Sequence, residues 1–234
     1  MNDFVLAFVT ALGLLATLDH ELLAIAGLSL WVSLWAVAWA TLIGLPLGAA
    51  VAIWRFPGHA LLGVLLNALM GLPPVVVGLT VYLLLSRSGP LGSLGLLFSP
   101  TAMVLAQSLL VTPIIAALTR QSIADLYDEY AEQLHSLGVR PRRAIWTLLW
   151  DGRFRLLTGI LAGFGRASAE VGAVIIVGGN IHRVTRVMTT TIALETSKGN
   201  LPLALALGML LLLLVLLVNA SVMLIQHLTR RTYG

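Results

Sequence analysis

Five stretches of this chain run for 18 residues or more with almost no charge: about Leu22–Trp54, His59–Leu85, Thr101–Leu118, Leu156–Val177 and Leu201–Ile225. About 20 apolar residues in a helix cross the roughly 30 Å hydrocarbon core of a bilayer. In that medium every backbone N–H and C=O must be bonded within the protein, so runs of this kind form helices. The chain is therefore read as an all-α integral membrane protein with about five transmembrane helices. Leu22–Trp54 is too long to cross upright and must tilt or project. Phe4–Leu18 is a sixth, shorter candidate, which the reading places as an interfacial helix rather than a span.

Composition narrows the function. Hydrophobic residues make up 59% of the 234 and charged residues only 10%, against about 25% charged in a soluble domain. So few charges cannot build a water-facing surface, and a soluble enzyme is excluded. Without cysteine there is no disulfide, thiolate nucleophile or cysteine-ligated metal or cluster. His20, His59, His135, His182 and His227 are scattered without ligand spacing, so no metal site and no cofactor is expected. Neither a nucleophile elbow nor a G-K-[ST] phosphate loop is present, so ATP chemistry would need a separate chain. Met1–Thr17 lacks the basic n-region and cleavage site of a signal peptide and is expected to remain in place.

Lysine and arginine positions give the orientation. With five spans, Arg55, Arg120, Arg140, Arg142, Arg143, Arg153, Arg155, Arg230 and Arg231 fall on one side and Arg87, Arg183, Arg186 and Lys198 on the other. The more basic side is expected to be cytoplasmic. That bias accounts for the net charge of +4 without nucleic acid. Asp19 and Glu21 then face outward. The expected organisation is a terminal apolar segment 1–21, a membrane domain 22–228 containing a cytoplasmic loop 120–155, and a cytoplasmic tail 229–234.

The loop 120–155 is amphipathic. Ser122 and Asp125 have capping-box spacing, which predicts a helix start there. Ile123, Leu126, Tyr127, Tyr130, Leu134 and Leu137 recur at three- and four-residue steps, with Asp128, Glu129 and Glu132 off that stripe. Gly138 supplies a stop, and Pro141 suits the first turn of a second helix carrying Ala144, Ile145, Leu148 and Leu149. A helical hairpin of this kind is either a connector packed on its own bundle or a knob for a groove on a soluble partner.

Within the spans, Pro73-Pro74 between Gly71 and Gly78 must kink or break its helix. Irregular backbone at that depth must be covered by protein or line water. Leu72, Pro73, Pro74, Val75, Val76 and Val77 are therefore candidates for a translocation path and its gate. Pro113 predicts a second, weaker kink. Arg166 and Glu170, four apart, are expected to share a helical face as an intramembrane pair, either pinning the helix or meeting an anion. Gly159, Gly163, Gly165, Ala167, Ala169 and Gly172 form a small-residue run suited to close packing.

A family resemblance covers roughly residues 25–220. Glu132-Gln133-Leu134-His135-Ser136-Leu137-Gly138 resembles the start of the E-A-A…G loop of ATP-binding-cassette (ABC) importer permeases, with Gln133 and Leu134 in place of small residues and Asp151 where proline is usual. Gly71-Leu72-Pro73-Pro74 through Gly78, Leu161 through Ala173, and Gly178-Gly179-Asn180-Ile181 resemble the molybdate, tungstate and sulfate permeases. Thr189 through Gly199 is most similar to the tungstate branch.

The resemblance implies the type I importer permease fold in a bacterial or archaeal-type inner membrane. It also implies a homodimer, an ABC ATPase subunit inside, and an oxyanion-binding protein outside. Glu132, Gly138, Leu134, Leu137, Tyr130 and Arg140 are then the ATPase-coupling residues, in an all-α bundle carrying a cytoplasmic coupling-helix hairpin. Tungstate is the first expected substrate and molybdate the second. A self-sufficient secondary anion transporter or channel is the main alternative, and a structural membrane subunit of an enzyme complex a further one. Against the former, no internal repeat and only one intramembrane charge pair are found.

Overall fold

A computed structural model describes residues 5, 8–10, 12–13, 20–54 and 57–233. The segment 4–18 read above as interfacial falls mostly outside these residues, as do Asp19 and Arg55. Among the described residues the regular structure is helical throughout. In chain order, α1 is His20–Ile53, α2 His59–Leu69, α3 Pro74–Leu85, α4 Pro100–Glu129 and α5 Ala131–Ser136. After these come α6 Pro141–Asp151, α7 Arg153–Ser168, α8 Gly172–Gly178, α9 Met188–Ser197 and α10 Leu201–Tyr233, with a 3-10 turn at Gly92–Leu94.

Among the described residues three helices, α1, α4 and the part Leu201–Gln226 of α10, are each long and apolar enough to cross a bilayer. The pairs α2 with α3 and α7 with α8 qualify as bent spans, and counting each once gives five. This is the all-α, multi-span architecture expected. The 34 residues of α1 extend about 51 Å at 1.5 Å per residue, so it overshoots the hydrocarbon core as anticipated.

The chain divides into two compact units. One comprises residues 1–33, 74–106 and 168–234. Its apolar centre joins Leu22, Ile25 and Ala26 of α1 to Met188 of α9 and Leu207 of α10. The other comprises residues 34–73 and 107–167. Here Ala49 and Ile53 of α1 meet Ile123 and Leu126 of α4, Ala144, Ile145 and Leu148 of α6, and Leu156 of α7. One buried amide and one buried hydroxyl tie its helices: Gln107 Nε2 donates to the Ala167 carbonyl at 3.1 Å, and Ser108 Oγ to that of Ala36 at 3.3 Å. Gly163 of the small-residue run serves internal packing, since a Cβ there would stand 2.8 Å from Val111 Cγ1.

Three expectations about local structure are corrected. No helix starts at Ser122: α4 runs unbroken to Glu129, because buried Ile123 and Leu126 continue its inner stripe with no breaker between. Pro113 lies inside α4, which continues through it as helix. The Thr112 hydroxyl donates to the Ser108 carbonyl at 2.6 Å beside the place where the proline lacks its N–H. The first hairpin helix is shorter than the stripe suggested, broken at Tyr130 before α5. Finally, the helix expected to run through Arg166 and Glu170 is shorter, α7 ending at Ser168, two residues before Glu170. The break expected at Pro73-Pro74 is present, α2 ending at Leu69 and α3 starting at Pro74.

Candidate functional site

The hairpin α5–α6 stands on the apolar centre of the second unit. Tyr130 and Leu134 are partly buried against that centre, whereas Glu132, Leu137, Gly138 and Arg140 are exposed. Gly138 has φ 61°, a left-handed conformation that glycine adopts at little cost, and its N–H donates to His135 O. The Val139 N–H then closes on Leu134 O at 3.0 Å. Pro141 opens α6, where the missing N–H has no helical partner to lose.

The outer face of the hairpin is apolar but unburied. Trp146 is 69% and Trp150 73% exposed, and Leu137 is 77% exposed. With Tyr130, Gln133, Leu134 and Asp151 they line a groove of about 630 Å³. The apolar stripe of the sequence marks the inner positions of α6 and not these tryptophans. Their i, i+4 spacing, one face away from Ala144, Ile145 and Leu148, was the available signal. Arg153 lies over the rings of Trp150 and Phe154, 5.0 Å and 4.7 Å from their centroids, which holds the end of α6 against the start of α7. Negative charge gathers at the groove edge. Asp151, and after it Glu129, raises the Tyr130 phenol above its ordinary value of 10.0.

A second arrangement lies in the first unit, where the latter halves of both bent spans meet. Gly78 of α3 abuts α8 so closely that a Cβ would come within 2.7 Å of Ala173 Cα, and one on Gly172 within 3.1 Å of Val75 Cγ2. The starts of α3 and α8 therefore lie side by side. Glu170 is buried and its Oε1 accepts the Ala173 N–H at 3.1 Å, satisfying a donor at the start of α8. Thr189 Oγ1 donates to the Glu170 carbonyl at 2.9 Å. The segment 178–190 is pinned the same way: Thr185 Oγ1 donates to Gly178 O at 2.5 Å, and Thr190 Oγ1 to Asn180 Oδ1 at 2.9 Å. At the end of α9, Glu195 accepts Lys198 Nζ at 2.8 Å and Asn200 Nδ2 at 3.0 Å. The Lys198 bond holds the Glu195 carboxyl below its ordinary range despite its burial.

Among the sequence-derived candidates, Val77 is buried, whereas Val75 and Val76 are 57% and 54% exposed. Leu72 and Pro74 are half-buried and Pro73 is exposed. Arg166 is half-buried at the last turn of α7.

No protein-family model matches the chain. It is 40% identical over 219 residues to the tungstate uptake system permease protein TupB of Peptoclostridium acidaminophilum, covering 94% of this chain and 96% of that protein. The chain belongs to the permease family of ABC transporters. A probable anion ABC transporter permease of Haloferax volcanii is also 40% identical, over 85% of this permease and 88% of its relative. The sulfate transport permease CysW of Synechocystis is more distant, 29% identical over 80% of this permease and 69% of that protein. The permease is thus a multi-pass membrane protein of a kind that works with an ATPase and a substrate-binding protein.

Proposed function

We propose that this permease is the membrane subunit of an ATP-driven importer for tungstate, with molybdate as the second substrate. The observation that carries the reading is the 40% identity to a tungstate uptake permease, sustained over 94% of the chain. ATP hydrolysis belongs to a partner chain. The exposed groove between α5 and α6 supports docking of that ATPase, since an apolar face bearing two tryptophans and standing on a buried core suits a soluble partner. Tyr130, Glu132, Leu134, Leu137, Gly138 and Arg140 belong to this surface, together with Trp146 and Trp150. The groove and the C-terminal tail are cytoplasmic, as the arginine bias supports.

Two copies form the pore, and each contributes the break Leu72–Val77. In this reading Val75 and Val76, rather than buried Val77, supply the bulk that closes it. Glu170 is a helix-stabilising group and need not meet the anion. Tungstate uptake into proteoliposomes tests the whole scheme. It should require ATP, the partner ATPase and an oxyanion-binding protein, and it should stop in Gly138→Pro and Glu132→Lys while both variants remain inserted. Uptake without ATPase would instead mark a secondary transporter.

A further inference from the structure

The segment after α8 faces the first turns of α1 across a small cavity of about 180 Å³ lined by Glu21, Ala24, Ile25, Leu28 and residues 182–186. At roughly 30 Å³ per water this is room for about six waters, or for a four-oxygen anion with one or two. Its polar groups are mostly cationic. Arg183 and Arg186 both line it, and the Arg186 Nε is enclosed with no hydrogen-bond partner. Two acidic groups bear on the cavity. Glu21 lies against His182, Nε2 to Oε1 3.2 Å, and Glu195, which feels the Arg186 charge, is taken up by Lys198 and Asn200.

The backbone is held for this arrangement. Arg183 has φ 60° and Asn180 φ 50°, left-handed conformations that non-glycine residues seldom adopt. The loop keeps them through the Thr185 hydroxyl, which accepts the Ile181 N–H and donates to Gly178 O. Two guanidinium groups lining one small cavity are the chemistry that recognises a tetrahedral oxyanion.

We propose that this cavity is a binding site for a small tetrahedral oxyanion. Resting on the importer reading above, which puts the first turns of α1 and Arg183 on the outer side, it is the site where the anion first contacts the permease. A lipid phosphate presents the same tetrahedral oxygens, so the test separates the two sources.

The full-length permease is reconstituted in phosphatidylcholine nanodiscs, with and without phosphatidylglycerol, and titrated with sodium tungstate by calorimetry. Saturable binding is expected. Arg183→Gln and Arg186→Gln should each weaken it by about tenfold, a charge-assisted hydrogen bond's worth. Ala24→Glu at an exposed wall position should weaken it comparably without touching an arginine, and Arg87→Gln on another loop should leave it within about twofold. If phosphatidylglycerol suppresses the tungstate signal in the parent and co-purifies in an Arg183- and Arg186-dependent way, the lipid phosphate is the natural occupant and the oxyanion chemistry stands. Equal binding in the parent, both arginine variants and Ala24→Glu, or no binding of either probe, overturns the proposal. Normal ATP-driven tungstate uptake without cavity binding would remove this site alone. Cavity binding without such uptake would remove the importer reading alone.

Discussion

Glu170 Oε1 lies 3.1 Å from the backbone nitrogen of Ala173, so this buried carboxylate bonds the start of α8 beyond the break in its span. That bond gives Glu170 a role that α-helical spacing from Arg166 would not have suggested. Glu170→Ala should lower stability by about 1 kcal/mol or more, the usual cost of losing a side-chain acceptor at a helix start. Glu170→Gln keeps an acceptor oxygen and should lose less. Thermal unfolding in detergent distinguishes them. Equal losses would mean that the charge itself, not the acceptor, is what the site requires.

Gly78 is expected to tolerate no side chain. The atom nearest an added Cβ is the Ala173 Cα, part of the backbone and unable to swing aside. Gly78→Ala should therefore cost about 1–3 kcal/mol through displacement of α8. Gly165→Ala, where a Cβ meets nothing within 4 Å, is the matched control and should be near neutral. Comparable midpoints for the two variants would contradict the close approach.

Trp146 and Trp150 separate docking from folding. Both are more than two-thirds exposed, so alanine at Trp146 should change the permease's own stability by no more than about 0.5 kcal/mol, and at Trp150, which also loses its Arg153 contact, by no more than about 1 kcal/mol. Coupled ATP hydrolysis in the assembled transporter should nevertheless fall several-fold. Ile123→Ala, in the core beneath, should do the opposite first and lower folded yield, because it empties a fully buried site. Unchanged coupling in both tryptophan variants would place the ATPase elsewhere.

Two titrations follow from the electrostatics. The Tyr130 phenol should ionise above its ordinary 10.0 by ultraviolet titration, and Asp151→Asn should bring it down by removing the largest cause. Glu195 runs the other way. Its folded pKa lies below its ordinary 4.5, so the stability it contributes is complete above 4.5 and is lost as pH falls through the lowered value. Lys198→Met should narrow that gap and flatten the acid limb of a stability-against-pH curve.

Cysteine scanning tests the gate, and the chain has no native thiol to interfere. Cysteines at Val75 and Val76 should react with a small water-soluble reagent, at a rate that changes when ATP and the binding protein are added. One at Val77, only 8% exposed, should stay slow. Uniform inertness matching a lipid-facing control such as Leu212 would make the Pro73-Pro74 break a structural bend only.

Much of this architecture is legible along the chain because the bilayer imposes it. Uncharged runs of span length must be helices, Pro73-Pro74 must break one, and Gly138 before Pro141 must turn a hairpin; each rests on a local rule of backbone bonding or sterics that needs no neighbour. The resemblance at Glu132–Gly138 and Thr189–Gly199 likewise lies in the residue string itself.

What tertiary structure alone decided is where local signals compete. Ser122 and Asp125 offer a helix start, but Ile123 and Leu126 have a core to fill, and burial outweighs an optional cap. Arg166 and Glu170 have helical spacing, yet Ala173 offers Glu170 a free N–H across a break that no proline announces. Trp146 and Trp150 look like core residues by type, and only the packing of Ala144, Ile145 and Leu148 turns them outward. Arg183 and Arg186 reach the first turns of α1 through a fold that brings together residues some 160 positions apart, with His182 meeting Glu21 beside them. Spacing along a helix reports neighbours within a few residues, so contacts of that range follow only from how the helices pack.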